Sequence, residues 1–253
     1  MRALLLAVST FSLAPVPARW LPETDRRTAG VALRWLPLLG AALGAVAGAA
    51  TLVFWRGHTA GSPVLGATVA VVTTAFLTRG LHLDGLADTA DGFGGGSTPE
   101  RRLEIMKDSR IGSYGGAALV LAYVLRVACL TELLARIGTL GAAAAVVLVA
   151  ALSRSAGLLL MTLLPPARMT GSSYAAGQPE RGAVALAFGV CAAFGLSAVL
   201  GSPLPFAGIV LAFLLAGGVA LAMTRLSKRL IGGQSGDVGG AIQPPRSRPI
   251  SAS

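Results

Sequence analysis

LPLLGAALGAVAGAATLVFW, residues 36–55, runs from Leu36 to Trp55 without a charged side chain. A helix needs about 20 such residues to cross about 30 Å of hydrocarbon. Working outward, comparable stretches recur at 62–78, 114–135, 139–163, 182–200 and 204–223. The second is short and rich in β-branched residues. Lipid tolerates that, because a chain without water can satisfy its backbone only as a helix or a closed barrel. The expectation is an all-α, polytopic integral membrane helix bundle of about six transmembrane helices. Gly and Ala are dense along the spans, so the helices should approach closely.

Composition agrees. Hydrophobic residues make up 54% of the 253 and charged ones only 13%, against about 25% in an ordinary soluble domain. That excludes a disordered chain, a typical soluble enzyme and a disulfide-rich module. Cys129 and Cys191 both lie in apolar runs and read as small buried hydrophobes. Residues 1–18 resemble a signal peptide in charge pattern, but Pro15 and Pro17 interrupt the apolar stretch, which favours an interfacial or partly buried helix.

The net charge of +10 would suit a nucleic-acid binder if it formed one patch. Instead Lys and Arg alternate between rich and poor loops. The N-terminal segment, the 79–110 loop, the loop with Arg168 and Arg181, and the tail are rich. The intervening loops hold only Arg56 and Arg136. By the positive-inside rule the motif loop and both termini face the cytoplasm, and no nucleic-acid partner is expected. Arg126 and Arg154 fall inside spans and should face the bundle interior or a wet cavity. Arg126 has Glu132 as a candidate partner, and Arg154 has an anionic ligand.

Six of the eleven acidic residues lie between Asp84 and Asp108. Asp84, Asp88 and Asp91 are spaced i, i+4, i+7, which puts three carboxylates on one face of a helix. Like charges at that spacing repel. A divalent cation relieves this, and oxygen-only donors suit Mg2+ or Mn2+. Gly94, Gly95 and Gly96 follow, a run whose N–H groups can cradle a pyrophosphate. Thr98 and Pro99 then read as N-cap and first residue of a helix carrying Glu100, Glu104 and Asp108, with Arg101, Lys107 and Arg110 interleaved. His82 precedes the cluster and is a weaker catalytic candidate; His58 is given no role. Near the C-terminus, RLSKRLIGGQSGDVGGAI places Asp237 among glycines after Arg225, Lys228 and Arg229.

LHLDGLADTADG (81–92) followed by LEIMKDSRIGSYGG (103–116) closely resembles the signature of the cobalamin synthase family, the adenosylcobinamide-GDP ribazoletransferases. LPLLGAALGA, Ser153–Arg154 and IGGQSGD (231–237) extend the resemblance from about residue 9 to 241. It implies a bacterial inner-membrane enzyme that joins adenosylcobinamide-GDP to α-ribazole, or its 5′-phosphate, and releases GMP with Mg2+ present. Other membrane-associated enzymes of cobalamin assembly are the protein partners it suggests. On this reading Asp84, Asp88 and Asp91 hold the metal, and Asp108 and Asp237 complete the site or take the hydroxyl proton. Lys107, Arg110 and Arg154 hold phosphate. The chain departs from the family pattern at two places. FSLAPVP (11–17) lacks the usual Thr-Arg before Leu-Pro. After Gly236–Asp237 the chain runs into QPPRSRPISAS instead of a further apolar helix. Residues 1–241 thus read as one catalytic domain and 242–253 as a polar, disordered tail.

Two other classes were weighed. A CDP-alcohol phosphotransferase would carry D-G-x2-A-R, but Thr89 follows Asp88 here. A transporter would spread polar residues through the spans, whereas here they gather at one membrane face.

Overall fold

Three glycines one helical turn apart, Gly40, Gly44 and Gly48, set a close helix contact in the bundle. A Cβ on Gly44 would sit 2.9 Å from both Ala150 Cβ and Val147 Cα, and one on Gly48 would sit 3.1 Å from Ala143 Cβ. The partner residue numbers fall as the glycine numbers rise, so the two helices run antiparallel, backbone against backbone. This is the small-residue packing the sequence implies.

The computed structural model describes residues 2–22, 26–55, 62–167, 174, 177–179 and 181–235. Its helices are α1 (Arg2–Phe11), α2 (Arg26–Leu33), α3 (Leu36–Phe54), α4 (Pro63–Leu77), α5 (Leu81–Gly95), α6 (Pro99–Ile105), α7 (Ser113–Leu163), α8 (Arg181–Gly201) and α9 (Phe206–Ile231). A 3-10 turn spans Ala18–Trp20. No strand occurs among the described residues. The protein is the all-helical membrane bundle its spans imply. Arg56, His58, Arg168, Asp237 and the 242–253 tail lie outside the described residues.

The spans differ from expectation in two places. At 51 residues, α7 would be about 76 Å long at 1.5 Å per residue, over twice the hydrocarbon thickness. Gly138, at φ 71 and ψ −177, breaks it, and the limbs 113–137 and 139–163 line one cavity with Arg126 beside Ser153 and Arg154. In a straight helix those residues would lie about 40 Å apart, so the limbs form a hairpin. The expected span 62–78 is the 15-residue α4, too short alone, and the chain bends 87° into α5. By length and hydropathy four described helices can cross a membrane, and a fifth if α4 and α5 make one bent span; the first four count α7 once.

The bend has a local cause. Gly80 N–H donates to Ala75 O (2.8 Å) and Arg79 N–H to Phe76 O (3.0 Å), the paired bonds of a Schellman C-cap. Arg79 takes the left-handed position (φ 55), and Gly80 (φ 69) immediately starts α5. α5 therefore leaves α4 nearly at a right angle.

At the N-terminus, α1 is the partly buried helix expected within residues 1–18, with Leu6, Ala7 and Phe11 buried. Cys191 is buried, but Cys129 is exposed, contrary to its reading as a core residue. Glu132 pairs with Arg136, not with Arg126: Arg136 is one turn further along the same helix face.

Candidate active site

α5 has two chemical faces because its sequence carries two interleaved periods. At roughly 100° per residue, His82, Gly85, Leu86 and Thr89 share one side and Asp84, Asp88 and Asp91 the other. His82, Gly85, Leu86 and Thr89 roof a cavity of about 570 Å³ inside the bundle. The aspartates face away from it. Along their face, exposure falls steadily: Asp84 is exposed, Asp88 half-buried and Asp91 buried.

Asp91 is 8% exposed and both oxygens of its carboxylate are hydrogen-bonded. Oδ2 accepts from Gly112 N–H and Oδ1 from Gly115 N–H, each at 2.8 Å. These are among the amides that α7 cannot satisfy internally at its N-terminus, and an anion there also meets the positive end of the helix dipole. A Cβ on Gly112 would lie 2.4 Å from Asp91 Oδ1, and one on Gly115 2.3 Å from Oδ2. Glycine at both positions is what allows the approach. Asp91 therefore staples the acidic helix to the first limb of α7. It also fixes the far end of the loop that carries Lys107, Asp108 and Arg110.

Thr98 caps α6 as expected, its Oγ1 accepting from Arg101 N–H at 3.2 Å. α6 ends at Ile105, so Asp108 stands in a loop, off the helix face that carries Glu100 and Glu104. There Arg110 grips it: Nε donates to Oδ1 (3.0 Å), Nη2 to Oδ2 (2.7 Å) and the backbone N–H to Oδ1 (3.1 Å). The Arg110 side-chain bonds, then the backbone bond, lower the Asp108 pKa from its ordinary value to about 2. Asp108 is thus ionised at any physiological pH. Lys107 is exposed beside it.

The glycine run does a different job from an open cradle. Gly94 and Gly95 close the C-terminus of α5, and the Gly96 N–H is already given to Gly92 O at 3.2 Å. A Cβ on Gly94 would lie 2.7 Å from the Tyr114 ring, and one on Gly96 2.8 Å from Arg102 backbone. These glycines let α6 and α7 close on the end of α5. Arg102 in turn donates to Leu230 O at the end of α9 (3.1 Å). The segment after α9 is pinned to the end of α7 by Gln234 N–H to Pro165 O (2.9 Å) and Ala167 N–H to Gln234 O (2.8 Å). Ser235 Oγ then lies 3.9 Å from Met106 Sδ.

The structure thus brings Asp84, Asp88 and Asp91 onto one helix face, and Asp91 anchors there the loop holding Lys107, Asp108 and Arg110. It separates His82 and Arg154 from them, since both line the cavity on the other side of α5. No three described side chains of metal-ligating type converge. Two carboxylates one turn apart nevertheless fit Mg2+, which keeps several waters and takes one or two carboxylates plus substrate phosphates. Sequence reasoning missed Gly112 and Gly115. Their signal was present as a Gly-x-x-Gly pair opening a span, but nothing local names the carboxylate they receive.

A membrane helix bundle with an acidic, cation-edged face at one end of its spans defines a class: a membrane enzyme acting on a phosphorylated substrate. The chain belongs to the cobalamin-5-phosphate synthase family, whose model matches residues 3–244. Three relatives carry the name adenosylcobinamide-GDP ribazoletransferase. That from Azorhizobium caulinodans is 50% identical over 94% of this chain and 89% of its own. That from Bradyrhizobium diazoefficiens is 42% identical over 95% and 88%, and that from Rhizobium meliloti 40% over 94% and 89%. No solved structure matches.

Proposed function

We infer that the chain is an adenosylcobinamide-GDP ribazoletransferase, and that the acidic face of α5 is where its chemistry occurs. The family membership and the relatives' names support the reaction. The observation that carries the site is Asp91, which fixes the cationic loop at its Gly112 end to the helix that presents Asp84 and Asp88.

A ribose hydroxyl oxygen of α-ribazole forms a bond to the phosphorus that bears adenosylcobinamide. The bond from that phosphorus to the GMP oxygen breaks, the hydroxyl proton passes to a base, and GMP leaves. Asp84 and Asp88 would hold Mg2+, which supplies charge neutralisation on the pyrophosphate oxygens. Lys107 adds a cation near them. Arg110 spends Nε and Nη2 on Asp108, leaving Nη1 to donate to a phosphate oxygen in a fixed direction. Asp108, held ionised, serves by orienting Arg110 and is too weak a base to take the hydroxyl proton. His82 faces away from the acidic side. Positioning and electrostatic stabilisation dominate such transfers. The motif loop and both termini are cytoplasmic on this reading, which gives the face access to a soluble corrinoid.

The test is GMP release from adenosylcobinamide-GDP by the purified full chain, with α-ribazole and Mg2+. Release that requires both is expected. A folded protein that releases no GMP would refute the activity, and Asp84→Asn and Asp88→Asn variants with normal rates would refute the site.

A further inference from the structure

We propose that the cavity beneath α5 is a second ligand site, which takes a molecule apolar over most of its surface and bearing one phosphate-type oxyanion, seated on Arg154. Arg154 is 7% exposed. Its Nη1 donates to Ala150 O (2.8 Å) and reaches Ser153 Oγ (3.4 Å), while Nη2 is buried without a partner. Among the described residues no Asp or Glu lines the cavity, and Arg126 adds a second cation to its wall. A buried guanidinium is tolerated only when paired or hydrogen-bonded, and its forked donors match phosphate or carboxylate.

The bundle is built to put it there. A Cβ on Gly40 would lie 2.4 Å from Arg154 Cδ, so α3 leaves out a side chain where the arginine stem passes. The cavity walls are largely apolar, Ala145, Val146 and Val149 among them. About 570 Å³ falls within the size range of small-molecule sites, which combine apolar walls with a few convergent polar groups. Thr89 Oγ1 is another such group, buried without a partner in the roof. The rim includes Val149 and Val219, both exposed on the flank of the bundle. Because α5 stands between this cavity and the aspartates, its ligand is not the group held by the acidic face.

An apolar body with one oxyanion has two sources. One is an anionic membrane lipid entering between Val149 and Val219. The other is the benzimidazole nucleotide in its 5′-phosphate form, bound here apart from its place of reaction on the acidic face, and only this arm rests on the proposed function. The experiment uses the detergent-purified full chain. Retained phosphatidylglycerol is compared with diacylglycerol, which lacks the phosphate, by native mass spectrometry, and the affinity for α-ribazole 5′-phosphate with that for α-ribazole by calorimetry. In one of the two pairs the oxyanion form should bind about tenfold or more tightly. Arg154→Met should abolish that preference, and Arg136→Met, in an exposed ion pair, should leave it intact. The affected pair identifies the source. No preference in either pair, or a preference that survives in folded Arg154→Met, overturns the proposal. If Arg154→Met does not fold, Val149→Trp at the rim gives the reading: loss of the bound oxyanion ligand supports the site, and undiminished binding overturns it. GMP release by the same preparations reports the activity separately.

Discussion

The two sides of α5 do opposite things with charge. The side bearing Asp84, Asp88 and Asp91 concentrates negative charge and meets it at Asp91 with backbone amides and, as proposed, at Asp84 and Asp88 with a metal. The other side closes a largely apolar chamber around the buried Arg154, with Arg126 in its wall, and lines it with no acidic side chain among the described residues. One 15-residue helix can do both because side chains three to four apart share a face and those two apart do not. Charge that must be met by a substrate is kept at the surface. Charge placed inside the bilayer must be met by the fold or by a ligand.

Substitutions can break that contrast, beginning with the largest effect. Asp88→Asn and Asp84→Asn should each lower GMP release on the order of 100-fold or more, with helix content unchanged by circular dichroism. Asp91 belongs to the same face but should behave differently. Asp91→Ala strands the buried Gly115 N–H at about 1–3 kcal/mol and leaves that of the exposed Gly112 to water, so the detergent-solubilised protein should melt at lower temperature. The Mg2+ concentration for half-maximal rate should stay put. A shift in that concentration without loss of stability would return Asp91 to the metal. Gly115→Ala, whose Cβ would meet Asp91 Oδ2 at 2.3 Å, should reproduce the Asp91→Ala loss of stability.

Asp108 offers a smaller effect with a definite pH signature. Its pKa is lowered to about 2, so its interaction with Arg110 is present above the ordinary carboxylate range and lost only as pH falls through that value. Asp108→Asn should therefore lower the rate by a similar factor across pH 5 to 9, roughly tenfold, without moving either limb of the profile. A displaced limb would make Asp108 the proton acceptor after all. Smallest of all, Gly95→Ala should change turnover less than about twofold, because its added Cβ meets only Ile105 Cδ1 at 3.5 Å. A large loss there would restore the glycine run as an anion cradle.

Much of the fold was legible in the residues because lipid leaves so few choices. Once a stretch is apolar for about 20 residues, its backbone must be helical, which set the bundle before any contact was known. The i, i+4, i+7 aspartates and the Thr98–Pro99 start were legible for the same reason: both depend on neighbours along one chain. The second span was read too simply. Residues 62–78 looked like a crossing, yet Arg79–Gly80 turn the chain through 87°, and a non-glycine residue in the left-handed position gives no warning in the sequence.

The sequence by itself thus determined a membrane helix bundle with its acids on one face of one helix, since hydropathy and helical period are properties of consecutive residues. Only the tertiary structure decided that Asp91 is a staple, that His82 and Arg154 lie across α5 from the aspartates, and that a chamber exists beneath it. Those facts depend on which helix meets which. The meeting is fixed by Gly40, Gly44 and Gly48 against α7, by the Gly138 hairpin, and by two amides 21 and 24 residues from the carboxylate they serve.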